Sequence, residues 1–285
     1  NSKAGIESDY TVTQTAENEF FIVTGTAFSV HDFGWLEKMR RERSFDGVEI
    51  TNITKDLACF GLMGPKSRTI LQSLTDADLS HAAFPFMNSK EITVGDIKVR
   101  ATRLTYVGEL GWELYLPVAD GLALWEKIMA AGKAHGIKAC GYRAIESLRL
   151  EKGYRAWAGE INTETNPYEA GLGFAVSLKK DNFHGKAAAL AAQANLTRKL
   201  VAITFDDITC VPFGSEPIRI GEKIVGRIKS GGQGYTIKKA IAYAYLPIAQ
   251  TEVGTKVDVE FFGTWRSGVI CAEPLFDPSN ERIRL

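Results

Sequence analysis

The sequence predicts a mixed fold of helices and strands that ends in a small all-β barrel or sandwich. Two patterns predict it. From residue 10 to about residue 196, stretches with strand alternation interleave with stretches of helical periodicity. From about residue 197 onward the helical period is gone, and short apolar runs follow one another between turn residues. The 285 residues suffice for one large domain or for two to three smaller ones. The change of character places a boundary near residues 195–198, giving regions 1–197 and 198–285.

The first region reads in order. YTVTQ (10–14) and EFFIVTG (19–25) alternate as strands do. Residues 27–43 form a helix whose basic end, EKMRRER, is a solvated face favoured by the helix dipole. Residues 48–62 hold two short strands, and GPKSRTILQSL (64–74) begins a helix with Pro65 in its first turn. KEITVGDIKVRATRLTYVG (90–108) is a strand pair. Residues 119–135 form an amphipathic helix with Leu122, Trp125, Ile128 and Met129 as its core stripe. A further helix covers 143–154, a polar loop 159–172, and an Ala-rich helix 185–196.

The second region supplies six short runs: KLVAITF, PIRIG, EKIVGRI, AIAYAYL, KVDVEFF and SGVICAE. GGQGY (231–235) follows no strand-to-helix transition of the nucleotide-binding kind and reads as a turn of this barrel.

Composition narrows the function. Lys+Arg and Asp+Glu are both 34, so a formal charge of zero gives no basic footprint for nucleic acid or an anionic membrane. There is no apolar run long enough to span a bilayer and no signal-peptide pattern. Cys59, Cys140, Cys210 and Cys271 are scattered, without CxxC or zinc spacing, which predicts a reducing compartment, buried thiols and no metal site. His31, His81, His135 and His184 match no hydrolase signature, and HGK (184–186) lacks the glycines of a phosphate loop. The opening residues contain no Met and run straight into a strand, as the interior of a longer polypeptide would.

Two acidic positions ask for an explanation. In RLTYVGELGWELYL (103–116), strands at 98–107 and 112–117 joined by a turn at 108–111 would put Tyr106 opposite Glu113. On a solvated face Glu113 is a surface acid; in a pocket the pair would recognise a flat ligand with N–H donors. In GIESD (5–9), Glu7 and Asp9 share a face of an extended chain. Asp is a poor strand former, so Asp9 is either a strand-start residue or a functional one.

Seven segments occur in order along most of the chain: GIESDYTVTQ, VTGTAFSVHDFGWL, GPKSRTILQSL, LTYVGELGWELYLP, GYRAIESLRLEKGYRAW, TNPYEAGLGF and VGRIKSGGQGYTIKKAIAYAYLP. Together they resemble the folate-binding aminomethyltransferases, which include the glycine-cleavage T-protein. Within that family the closer resemblance is to the branch fused to flavin-dependent dimethylglycine and sarcosine dehydrogenases.

The resemblance implies an α+β fold of antiparallel sheets and flanking helices around a folate pocket, with a C-terminal β-barrel. It implies tetrahydrofolate as the cofactor, Glu113 as the carboxylate that grips the pterin, and Tyr106 as a lining residue. It puts Asp9 at the catalytic position, with Thr11 as a neighbour in the pocket. The implied reaction transfers a one-carbon unit to tetrahydrofolate, giving 5,10-methylenetetrahydrofolate. The donor would be an iminium, or formaldehyde derived from it, made by oxidising a methylated glycine. FAD would then lie upstream of Asn1 or on a flavin dehydrogenase partner. Ile145 stands where the glycine-cleavage branch has arginine, which favours the dehydrogenase-fused branch over a lipoyl-carrier substrate. Family members carry a segment before the GIESD-like strand that contributes to the pocket. The alternatives are an inactive folate-binding or regulatory module and a folate-dependent O- or S-demethylase. The expected compartment is cytoplasmic, with the mitochondrial matrix as the alternative.

Overall fold

A computed structural model describes residues 1–285. It resolves into a sheet unit, Ser8–Cys140 with Asn280–Leu285, and a barrel unit, Asn1–Glu7 with Gly141–Ser279.

The sheet unit begins with a hairpin, β1 (Thr11–Ala16) and β2 (Glu19–Val23), paired so that Thr13 faces Phe21 and Thr11 faces Val23. Helix α1 (Ser29–Glu42) follows. Then come β3 (Leu57–Met63), α2 (Ser67–Gln72), β4 (Ser89–Val94), β5 (Ile97–Thr102), β6 (Gly111–Pro117) and α3 (Gly121–Gly132). The four strands form an antiparallel sheet in the order β3-β6-β5-β4.

Strand alternation divides this sheet into two chemically different faces. Trp112, Leu114 and Leu116 of β6 are almost fully buried, in one cluster with Val99, Ala101, Ile92, Ile70, Leu71, Leu124 and Ile128. Each large side chain so buried contributes roughly 1.5–3 kcal/mol. Glu113 and Tyr115 point the other way, onto a face that also carries Cys59, Gly61, Arg100 and Thr102.

Three expectations need correction here. Residues 48–56 form no strand. The Asn52 side-chain carbonyl accepts the Thr54 N–H at 3.0 Å, and the Asp56 N–H bonds the Ile53 carbonyl at 3.0 Å, so local turns take the groups a ladder would use. The buried line of α3 is Gly121, Leu124, Ile128 and Gly132; Leu122 is 70% exposed, and Trp125, at 39%, reaches only the rim of the sheet against Phe60. The third concerns β5, which ends at Thr102 rather than running to residue 107.

Two hydrogen-bonding patterns end β5. Beyond it, Arg103 is fully buried and gives its guanidinium to the carbonyls of Phe84 at 2.7 Å and Leu285 at 2.8 Å. The Thr105 hydroxyl then accepts the N–H groups of Val107 at 3.1 Å and Glu109 at 3.3 Å, folding the chain out of extension.

The barrel unit carries α4 (Tyr142–Lys152), α5 (Lys186–Ala194) and six strands: β7 (Arg198–Phe205), β8 (Pro217–Ile220), β9 (Lys223–Gly234), β10 (Lys239–Pro247), β11 (Lys256–Phe261) and β12 (Thr264–Cys271). They close in the order β10-β7-β12-β11-β8-β9, so the tail is a barrel and not a sandwich. GGQG lies inside β9 instead of forming a turn, with Gly232 opposite Ile241. A Cβ on Gly231 would sit 2.6 Å from the Ile241 carbonyl oxygen, so this close approach requires glycine.

Buried ion pairs tie α4 to its surroundings within this unit, including Arg149–Glu160 at 2.6 Å and Lys152–Asp277 at 3.0 Å. The thiols depart from expectation: Cys210 is buried, but Cys59 and Cys140 are exposed residues. No helix is long and apolar enough to cross a membrane.

Candidate functional site

The polar face of the four-stranded sheet is where the predicted residues can be followed. Glu113, half-buried in the middle of β6, stands between Gly61 on β3 and Thr102 on β5. Tyr106 is not its cross-strand neighbour. It lies half-buried in the bend after Thr105, because β5 stops four residues short of it.

The phenol that does meet Glu113 belongs to Tyr115, two residues on along the same strand, which donates a hydrogen bond to Glu113 Oε2. Sequence reasoning missed Tyr115, although its i, i+2 spacing from Glu113 on a strand was the available signal. Gly61 was also missed, and nothing in the sequence marks it. A Cβ built there would meet only the Met63 side chain, at 3.6 and 3.9 Å, so the space beside Glu113 is open.

The electrostatics follow from partial burial. Desolvation pushes the Glu113 carboxyl above the usual carboxylate range, and the Tyr115 hydrogen bond works in the opposite direction by favouring the charged form. The Tyr115 phenol is itself driven far up, first by burial and then by the Glu113 charge, so it stays a donor. Cys59, opposite Tyr115 on β3, is an exposed residue, yet the exclusion of water by the protein around its sulfur, and then the Glu113 charge, push the thiol up to about 12.

The β1–β2 hairpin approaches this face. Phe21 packs edge-on against Tyr115 with ring centroids 5.0 Å apart. Thr11 and Thr13 share the half-buried side of the hairpin with Phe21, whereas Val12 and Phe20 on its other side are exposed. A cavity of about 1180 Å³ opens beside these elements, bordered by Thr15, Phe20, Phe21, Leu57, Arg100 and Tyr115 among others. Phe21 and Tyr115 thus join the hairpin to the strand that carries Glu113; Thr11, opposite Val23, lies farther along the hairpin, and neither Thr11 nor Glu113 borders the cavity.

Asp9 lies two residues before Thr11, in the irregular segment that leads into β1. It is exposed, yet the protein around its carboxyl excludes enough water to raise its pKa above the ordinary value, and the like charge of Asp32 raises it further. Asp32 is a buried carboxylate on α1 that the sequence reading passed over. Its signal was an acid among apolar neighbours in the stretch SVHDFGWL.

The model of the GCVT N-terminal domain matches residues 1–180, and that of the glycine cleavage T-protein C-terminal barrel domain matches residues 198–277. The chain belongs to the glycine-cleavage T-protein family. Among relatives of this family, the chain is 41% identical over 282 residues to the mitochondrial dimethylglycine dehydrogenase of Rattus norvegicus, covering 98% of this chain and 33% of that protein. It is 32% identical to an aminomethyltransferase of Symbiobacterium thermophilum, covering 97% of this chain and 74% of that protein. In fold it is similar to the glycine cleavage system aminomethyltransferase T of Bartonella henselae, with a TM-score of 0.84, 29% identity, and coverage of 98% of this chain and 74% of that one. The chain spans about a third of the length of its dehydrogenase relatives. The α+β architecture with its C-terminal barrel is therefore the fold of an enzyme family.

Proposed function

We propose that this chain performs tetrahydrofolate-dependent one-carbon transfer, forming 5,10-methylenetetrahydrofolate. The observation that carries the reading is Glu113 on the polar face: a carboxylate raised by desolvation, steadied by Tyr115 and open on the Gly61 side. An ionised carboxylate offers about four acceptor positions, and Tyr115 uses one. The remainder suit the pterin edge, whose N3–H and 2-amino group are parallel donors. Phe21 and Tyr115 supply aromatic surface for a flat ring. The residues present fit the ligand.

When bound, tetrahydrofolate supplies the N5 and N10 nitrogens that take up the one-carbon unit. Glu113 binds and orients, with Tyr106 and Thr11 as further lining residues. Asp9 is the catalytic residue of this reading. Its raised pKa suits a base that takes a proton as the nitrogen attacks, and its negative form stabilises a neighbouring cation.

The donor in this reading is an iminium, or formaldehyde from it, released when a flavin site on another domain or subunit oxidises a methylated glycine. The dimethylglycine and sarcosine dehydrogenases among the relatives support it. The compartment proposed is the cytoplasm, with the mitochondrial matrix as the alternative suggested by the mitochondrial relatives.

The test is calorimetric titration of tetrahydrofolate into the full-length polypeptide carrying this chain, followed by product analysis during turnover. Saturable binding and 5,10-methylenetetrahydrofolate as product are expected. Binding without turnover would mark an inactive module, and 5-methyltetrahydrofolate as product would mark a demethylase.

A further inference from the structure

Helix α1 buries one residue, and that residue is a carboxylate: Asp32 is only 3% exposed. A buried charge in place of a core side chain needs partners, and Asp32 has them on both oxygens. Its Oδ1 accepts from the Ser8 hydroxyl at 2.7 Å and faces His31 Nδ1 at 2.9 Å, while its Oδ2 accepts from the Thr24 hydroxyl. Its backbone carbonyl accepts from the Tyr10 phenol at 3.1 Å.

Two of these four partners, Ser8 and Tyr10, flank Asp9. In an extended chain the residues before and after a given position point to one side and that position points to the other. Fastening Ser8 to the carboxylate and Tyr10 to the backbone carbonyl of one residue, Asp32, therefore fixes the rotation of the segment about its own axis. It aims the Asp9 side chain without touching it. We infer that Asp32 is a positioning residue for Asp9, holding the Ser8–Tyr10 segment so that the Asp9 carboxylate meets the one-carbon centre in a fixed direction. The inference rests on the reading of Asp9 given above.

Asp32 also lies in the first turn of α1, where an acid favours the helix dipole. A purely structural role of that kind would be felt in stability and not in turnover. A positioning role is felt in turnover while folate binding is left alone, since a misdirected catalytic group loses rate steeply for small displacements.

The experiment uses the full-length polypeptide with three variants: Asp32→Asn, the double variant Ser8→Ala with Tyr10→Phe, and Asp9→Asn as reference. We expect Asp32→Asn to lower kcat for methylene transfer by at least about tenfold, with KM for tetrahydrofolate within about twofold of wild type. The double variant, which leaves the buried carboxylate in place, should lower kcat about three- to tenfold in the same kcat-only manner. Should Asp32→Asn fold poorly, the double variant decides alone. An inactive Asp9→Asn beside wild-type kcat in the other two overturns the positioning role only. Wild-type turnover in Asp9→Asn overturns the reading of Asp9 itself, and the positioning role with it.

Discussion

The phenol of Tyr115 donates a hydrogen bond to the Glu113 carboxylate from two residues away on the same strand. That bond favours the charged form of Glu113, while burial disfavours it and is the larger effect. Folate binding that needs ionised Glu113 is therefore lost on acidification at a pH above the ordinary carboxylate range. Tyr115→Phe removes the opposing effect, so the acid limb of binding should move to higher pH. Titrations of tetrahydrofolate across pH in both proteins measure the shift.

Removing the carboxylate should cost affinity directly. Glu113→Ala is expected to weaken tetrahydrofolate binding at least tenfold, about 1.4 kcal/mol. Calorimetry on wild type and variant reads it.

Glu113→Gln should act in the opposite sense on stability. The Glu113 pKa is raised in the folded state, so its contribution to stability is fully present below its ordinary value of 4.5 and is lost as pH rises through the folded value. At neutral pH the neutral glutamine should raise Tm, and the gain should vanish in acid. Thermal melts at several pH values test this. A carboxylate that weakens the fold while serving a ligand is the usual sign of a site.

Gly61 separates fold from function more sharply. Its Cβ position contacts only Met63, and valine suits a strand, so Gly61→Val should leave Tm nearly unchanged. The added methyls would occupy the open space beside Glu113 and weaken folate binding by at least about tenfold. Melting and titration of one preparation provide both readings.

The two leucines of α3 give a control on packing. Leu124 is fully buried and Leu122 is 70% exposed. Leu124→Ala should cost about 2–5 kcal/mol, and Leu122→Ala within about 0.5 kcal/mol of nothing, by chemical denaturation.

Asp9→Asn should reduce turnover by at least about a hundredfold with little change in tetrahydrofolate affinity, as expected for loss of a general base. Single-turnover kinetics alongside a binding titration separates the two.

What the sequence determined by itself is what repeats at short range. Alternation in EFFIV and GWELYLP marks strands because side chains on a pleated strand change face at every residue, and the six C-terminal runs are marked as strands by short apolar stretches between turn residues. The ordered family segments were likewise legible, and with them the family.

Tertiary structure decided how those pieces meet. The register of β5 against β6 depends on where β5 ends, and that is set by a buried arginine and a threonine turn rather than by apolar alternation. One consequence is that Thr102, not Tyr106, stands opposite Glu113, and that Tyr115 steadies it. GGQG is strand because it pairs with β10, and Gly231 is glycine because a Cβ there would meet the Ile241 carbonyl of β10, a demand invisible in β9 itself. Asp32 became a hub only when α1 lay beside the segment before β1, since hydrogen bonds over 22 and 24 residues leave no local pattern to read.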